Sequence, residues 1–225
     1  ITFSLSTNAP VDPSAILSAY PVGTPVPDAA PYVGDLPAKC AYRIPAQISF
    51  ASMGYDYRRA GKVYSGVARV MSNILSLSYL WNEVRVQGGA YGTGLLVRET
   101  GLVSAYTYRD PDCARSLYTI GQTADYLRAQ AAEGTPLDIN IIGAISDAEP
   151  LLSPRLQGAV SDMRFLKHVT KPSRRQLRHE MLDTRPEDLS GCGEKIGAAL
   201  KAGAVCVLGP QEQLEACGGL ALQTL

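Results

Sequence analysis

The chain has 225 residues, of which 46% are hydrophobic and 19% charged, a length and composition suited to a soluble α/β or α+β unit that buries roughly 70% of its unfolded surface. Lys plus Arg equals Asp plus Glu at 21 each, which excludes the concentrated basic surface that a nucleic-acid partner requires. No apolar run reaches the ~18 residues of a membrane span.

The first residues, "ITFSLST", alternate like a strand. A chain that opens mid-pattern on Ile1 is expected to be part of something longer. Eight of the fifteen prolines then fall between Pro10 and Pro45. Proline lacks a backbone donor and disfavours helix at the preceding residue. Residues 1–45 therefore read as a first strand, a helical turn near Ser14 to Ala19, and an extended connector. The α+β domain proper is expected over 46–225, the whole forming a single globular unit.

"AQISFASMGYDY" reads as a strand, with Ile48, Phe50 and Ala51 in near-alternation. Lys62 to Trp81 reads as a helix, because Val63, Val67, Val70, Met71, Ile74 and Leu75 share one face. It must end before Gly88-Gly89. "AYGTGLLVRE" and "LVSAYTYRD" are two strands turning at Thr100-Gly101. Leu117, Ile120, Ala124 and Leu127 predict one further helix. Thr135-Pro136 and Ser153-Pro154 look like capped helix starts, and Ser173-x-x-Gln176 and Thr184-x-x-Glu187 like capping boxes. The last helix, with Leu189, Ile196 and Leu200 on one face, should stop at Gly203 in a left-handed cap. "AVCVLGP" is the closing strand. Helices grouped after a hairpin, without regular alternation, predict an α+β fold: a mainly antiparallel sheet with helices packed on one face.

Most chemistries are absent from the pattern. His168 and His179 lie eleven residues apart, so "RHEML" has no second histidine one helical turn on to complete a zinc site. Solvent-facing or capping positions explain both. No G-x-S-x-G nucleophile elbow occurs. "GGAYGTG" lacks the Lys of a phosphate loop and runs from helix to strand, the reverse of the order phosphate loops use. Glu187 and Asp188 sit in a first helical turn, where the helix dipole favours negative charge. The five cysteines, Cys40, Cys113, Cys192, Cys206 and Cys217, are odd in number and show no C-x-x-C spacing. They read as reduced, mostly buried thiols, and suit the cytoplasm or an organelle matrix.

Arg85 and Tyr91 remain, on either side of Gly88-Gly89. Glycines let a backbone turn sharply and leave it accessible. Arg supplies a rigid fork of donors and Tyr one directed O–H, which together suit a peptide carbonyl or the oxyanion formed on it. The residues alone also allow a plainer arrangement, with Arg85 paired to a surface carboxylate and Tyr91 packed in the sheet. Strand alternation places Tyr106 and Tyr108 on one face, expected to be core, and Arg109 on the other.

"LWNEVRVQGGAYGTGLLVRETGLVSAYTYRDPD" resembles the inverted-zinc-motif metallopeptidases of the pitrilysin/insulinase group. Its R-x-x-G-G-A-Y-G core and Y-R-D-P strand end are similar to the last domain of the presequence-protease (peptidasome, falcilysin-like) branch. "IPAQISFASMG" and "VCVLGP" fit the same domain. The similarity is strongest over Gln47 to Asp112. The resemblance implies a pitrilysin-type metallopeptidase-domain fold within a long chain of four such domains enclosing a peptide chamber. It implies zinc in a missing N-terminal catalytic domain and none in this chain, which lacks H-x-x-E-H, so the isolated chain should be inactive. The implied partners are the remaining domains of the parent and an unfolded peptide, with no nucleic acid or membrane. By the same resemblance, Arg85 and Tyr91 hold substrate or oxyanion near the scissile bond. Gly88, Gly89 and Gly92 shape the backbone where substrate binds. A separate non-catalytic subunit completing a partner's site is the alternative, and a structural protein that kept the fold without the chemistry a third.

Overall fold

Burial sets the two faces of the sheet. The computed structural model describes residues 5, 7, 9–20, 23–24, 38–57 and 64–223; most of the expected 1–7 strand and of the connector lies outside them. The chain divides into two compact units, Ile1–Asp35 with Leu151–Lys171, and Leu36–Pro150 with Pro172–Leu225. The first contains α1 (Ser14–Leu17) and α6 (Pro154–Leu166). Ser153 and Pro154 open α6 at the expected position, although the Ser153 side chain makes no cap bond. His168 ends that segment in a left-handed conformation, φ 54°.

The second unit holds a six-stranded sheet built from β1 (Lys39–Arg43), β2 (Ser49–Asp56), β3 (Gly92–Val97), β4 (Leu102–Asp110), β5 (Ala204–Gly209) and β6 (Ala221–Gln223), in the order β3-β4-β2-β5-β1-β6. The first three pairings are antiparallel; β5–β1 and β1–β6 are parallel. The sheet is thus mainly antiparallel, and the expected closing strand β5 sits inside it. Two strands were not foreseen: β1, within the expected connector, and the short β6.

Ala51, Met53, Val103 and Ala105 turn to the helices and are buried. Met53, Val103 and Ala105 join Met71, Leu75, Ile120, Leu127, Leu189 and Leu200 in the main core. A smaller cluster of Ala41, Ala51, Cys113, Val207 and Leu214 lies under α3 (Cys113–Gly121) and α9 (Gln211–Cys217). The opposite face carries Ser52, Leu102, Tyr106 and Tyr108, all exposed. The tyrosines are therefore outside the core, contrary to expectation: Tyr106 is 40% and Tyr108 46% exposed. Ala105 and Thr107, small and buried, take the helix side between them.

The long helix starts as α2 (Gly66–Ile74), capped by the Ser65 hydroxyl accepting from the Ala68 N–H at 3.3 Å. From Leu75 to Val86 it widens into a π-helical segment. The buried positions record the change. Met71, Ile74 and Leu75 follow α spacing, whereas Leu75, Leu80 and Val84 are five and four residues apart, near the wider π repeat. Ser72 and Ser76 donate to the Leu95 carbonyl at 2.6 and 2.9 Å, which ties the helix to β3.

The single helix expected through Leu117 and Leu127 is two, α3 and α4 (Thr123–Glu133), interrupted at Gln122. Helix α5 (Asp138–Ala148) begins two residues beyond Pro136, and α7 (Lys171–Leu182) already includes Ser173. At α8 (Pro186–Ala202) the cap shifts by one residue: Arg185 is the N-cap, and the Asp188 carboxylate accepts its N–H at 2.9 Å. Thr184 instead donates its hydroxyl to the Glu180 carbonyl. Gly203 is extended rather than left-handed, φ −83°. What requires glycine there is space: a Cβ would lie 2.3 Å from the Gly54 carbonyl oxygen.

Candidate functional site

The site grows from the end of the π segment. The wider turn of a π-helix carries more residues, and the Gln87 N–H closes on the Asn82 carbonyl five residues back, at 2.9 Å. The chain then reverses. Gly89 takes φ +80°, and a Cβ on Gly88 would lie 2.5 Å from the Val84 carbonyl oxygen. Both glycines are thus shape residues, one for its dihedral and one for its closeness. Gly92 has ordinary room, 3.6 Å from the Tyr108 Cβ, and opens β3.

This reversal brings Arg85 and Tyr91 together at the surface. Arg85 Nη1 donates to the Tyr91 carbonyl. Its guanidinium lies 4.3 Å from the Trp81 ring centroid and 5.4 Å from that of Tyr91. The Tyr91 side chain is 64% exposed. Neither half of the plainer arrangement holds: no carboxylate pairs with Arg85 among the described residues, and Tyr91 does not pack into the sheet.

A second cation reaches the same ring. Ser49 pairs with Asp110 and Phe50 with Tyr108, so Arg109 is the extra residue of a β-bulge. It adopts φ +51°, a conformation that strains a residue with a Cβ. The bulge breaks the alternation that would send Arg109 to the far face, and its guanidinium lies 5.9 Å from the Tyr91 ring. Its carbonyl accepts the Tyr91 N–H at 3.3 Å. Tyr108 stands 6.0 Å from Tyr91, and Phe50 meets Tyr108 edge-on at 5.3 Å. The result is an exposed file of aromatic rings with two guanidinium groups against it. Each cation–ring contact at such a surface contributes ~0.5–1 kcal/mol, enough to orient a side chain and leave its polar edge free.

Chemically, this arrangement offers hydrogen-bond donors: two guanidinium forks and one phenol, gathered at one exposed edge. It suits a carbonyl oxygen, a carboxylate or a developing oxyanion. Among the described residues, no group of three or more His, Cys, Asp and Glu could hold a metal ion, and no helix is long and apolar enough to cross a membrane.

The family model for the PreP C-terminal domain matches residues 39–207. The chain belongs to this family. Presequence protease 1, chloroplastic/mitochondrial, of Arabidopsis thaliana is 31% identical over 174 residues, covering 77% of this chain and 16% of that protein. Protein HypA of Clostridium perfringens is 29% identical over 168 residues, covering 75% of this chain and 17% of its own length. The chain thus spans about a sixth of these relatives. Pitrilysin superposes with a TM-score of 0.53 at 9% identity, over 83% of this chain and 22% of its own, a likeness of fold. The PreP C-terminal domain assignment agrees with the presequence-protease resemblance read from the segment around Arg85 and Tyr91.

Sequence reasoning placed Arg85, Tyr91, Gly88 and Gly89 at this edge and missed Trp81, Tyr108 and Arg109. Trp81 was legible, since it precedes Arg85 by four residues on one helix. Arg109 was not, because a single-residue bulge leaves no mark on the apolar pattern.

Proposed function

We propose that this PreP C-terminal domain grips an extended peptide beside the scissile bond, from a wall facing zinc carried by another domain of the parent chain. Tyr91 donates its phenol O–H to the peptide carbonyl as negative charge develops on the oxygen. Arg85, seated on Trp81 and tied to the Tyr91 carbonyl, holds that phenol in place and presents its remaining N–H donors to the peptide. Arg109 braces the Tyr91 ring from β4 as a positioning residue. The chain's own role is to bind and orient; metal chemistry lies outside it.

The observation that carries this reading is the exposed Tyr91 side chain fixed at its own backbone by Arg85. A tyrosine kept only for packing would be covered. The decisive experiment is Tyr91→Phe in the complete protein, assayed on an unstructured peptide. Loss of one donor to an oxyanion lowers kcat by ~10²–10³, with zinc content and fold unchanged. Activity within two-fold of the unaltered protein rejects the assignment. Arg85→Ala is expected to raise KM as well as lower kcat, because a charged donor also binds the ground state.

A further inference from the structure

All five cysteines are free, but they are not equivalent. Cys113 Sγ and Cys217 Sγ lie 2.9 Å apart, although the residues are separated by 104 positions. Cys113 is the first residue of α3, one position after its N-cap Asp112, where the helix dipole favours an anion. Cys217 is the last residue of α9. Two glycines follow it, Gly218 and Gly219, with φ +60° and +63° and nothing within 4 Å of a Cβ on either. Around the pair stand Ser49 of β2, Asp110 and Asp112 at the end of β4, and Gln213 of α9, whose carbonyl accepts from Cys113 Sγ at 3.7 Å.

We propose that Cys113 and Cys217 form an oxidant-sensitive dithiol, a modification site that hydrogen peroxide closes to a disulfide joining α3 to α9. It stands independently of the peptide-gripping role.

The chemistry balances as follows. One thiol of the pair loses a proton and its sulfur attacks a peroxide oxygen. The O–O bond breaks, hydroxide leaves, and a sulfenic acid forms. The second sulfur then attacks the first, forming the S–S bond and releasing the sulfenic oxygen as water. Hydroxide takes up the first proton, so two thiols and one peroxide yield one disulfide and two waters. Peroxide is the oxidant, and the two sulfurs are oxidised.

Ionisation supports this geometry. The hydrogen bond from Cys217 lowers the Cys113 pKa to about 7 against the opposing effect of burial, with the Ser49 hydroxyl adding to the lowering and Asp110 opposing it. The same bond pushes Cys217 up, as a pair sharing one proton must. Burial raises Cys192 and Cys206 to about 11, which leaves them poor nucleophiles near neutrality. Cys113 is only 1% exposed, so the half-buried Cys217 forms the approach, and a small oxidant fits it better than a bulky disulfide. Disulfide formation needs the sulfurs to close by about 1 Å.

The test treats the complete protein with hydrogen peroxide, alkylates remaining thiols after denaturation, and maps the products by mass spectrometry. Cleavage after Glu215 separates Cys217 from Cys206, and sulfoxide at the exposed Met163 confirms that oxidant was delivered. The expected result is a Cys113–Cys217 peptide pair that dithiothreitol releases, with loss of alkylation at both positions and alkylation retained at Cys192 and Cys206. Cys217→Ser abolishes the pair and sends Cys113 on to the sulfinic acid. Alkylation of both Cys113 and Cys217 after Met163 has oxidised overturns the proposal. So does a Cys113 disulfide to any other cysteine.

Discussion

Helix α8 and the π segment are the two long helical stretches against the sheet, and they solve opposite problems. In α8, Leu189, Ile196 and Leu200 recur at ordinary helical spacing and are buried. Glycines bring α4 close: a Cβ on Gly193 would lie 2.9 Å from the Leu127 Cβ, and one on Gly197 2.7 Å from the Ala124 Cβ. In the π segment the buried spacing widens, and its exposed end sets Trp81 and Arg85 against Tyr91 across the Gly88-Gly89 reversal. A regular helix maximises burial on one face. A widened one sacrifices regular hydrogen bonding to aim its last turn, and here that turn carries the polar donors.

This contrast can be broken experimentally. The largest effect falls on the site side: Tyr91→Phe should lower turnover ~10²–10³-fold while leaving the unfolding free energy within ~0.5 kcal/mol, as an exposed substitution does. A loss of stability of several kcal/mol would mean that the ring is structural. On the α8 side, Gly197→Leu should cost about 1–3 kcal/mol, because α4 must be pushed away. Urea unfolding measures it, and an unchanged midpoint would show that the two helices do not meet as closely as described.

Arg109→Gly separates strain from position. Glycine relaxes the left-handed conformation, so stability should rise by ~1 kcal/mol. Activity should fall several-fold, about the value of one cation–ring contact, mainly in kcat, with partial recovery in Arg109→Lys. Greater stability with full activity would leave Arg109 a bulge residue and nothing more.

The smallest effect concerns pH. Tyr79, in the π segment, stacks on Tyr126 at 4.5 Å and donates to the Thr119 carbonyl at 3.0 Å. Burial raises its pKa to about 12 from the ordinary 10. The folded state therefore favours the neutral phenol. That stability is complete below pH 10 and drains away as pH rises through 12. Urea midpoints across this window should fall more steeply in the unaltered protein than in Tyr79→Phe; equal slopes would contradict it.

Much of the architecture was legible in the pattern. The 92–97 and 102–110 hairpin, the apolar face of α8 and the helix stop before Gly88 all follow from periodicity and glycine placement, which are local properties. Caps were read less well. Thr184 and Ser173 have the right residue types, but a neighbouring helix end or one more helical turn claimed them first. Strand β1 was hidden because proline-rich flanks mask a five-residue run whose partners, β5 and β6, lie far along the chain.

What the sequence determined alone was the inventory: an α+β order, a glycine hinge, and an arginine and a tyrosine beside it, since each depends on residues within a few positions of one another. The tertiary structure decided which face of the sheet is open, that Arg109 crosses to Tyr91, and that Cys113 meets Cys217. Those outcomes arise from strand register, a bulge and helix docking between residues far apart in the chain, such as Phe50 with Leu208 and Cys113 with Cys217, and no local pattern encodes the balance of packing that settles them.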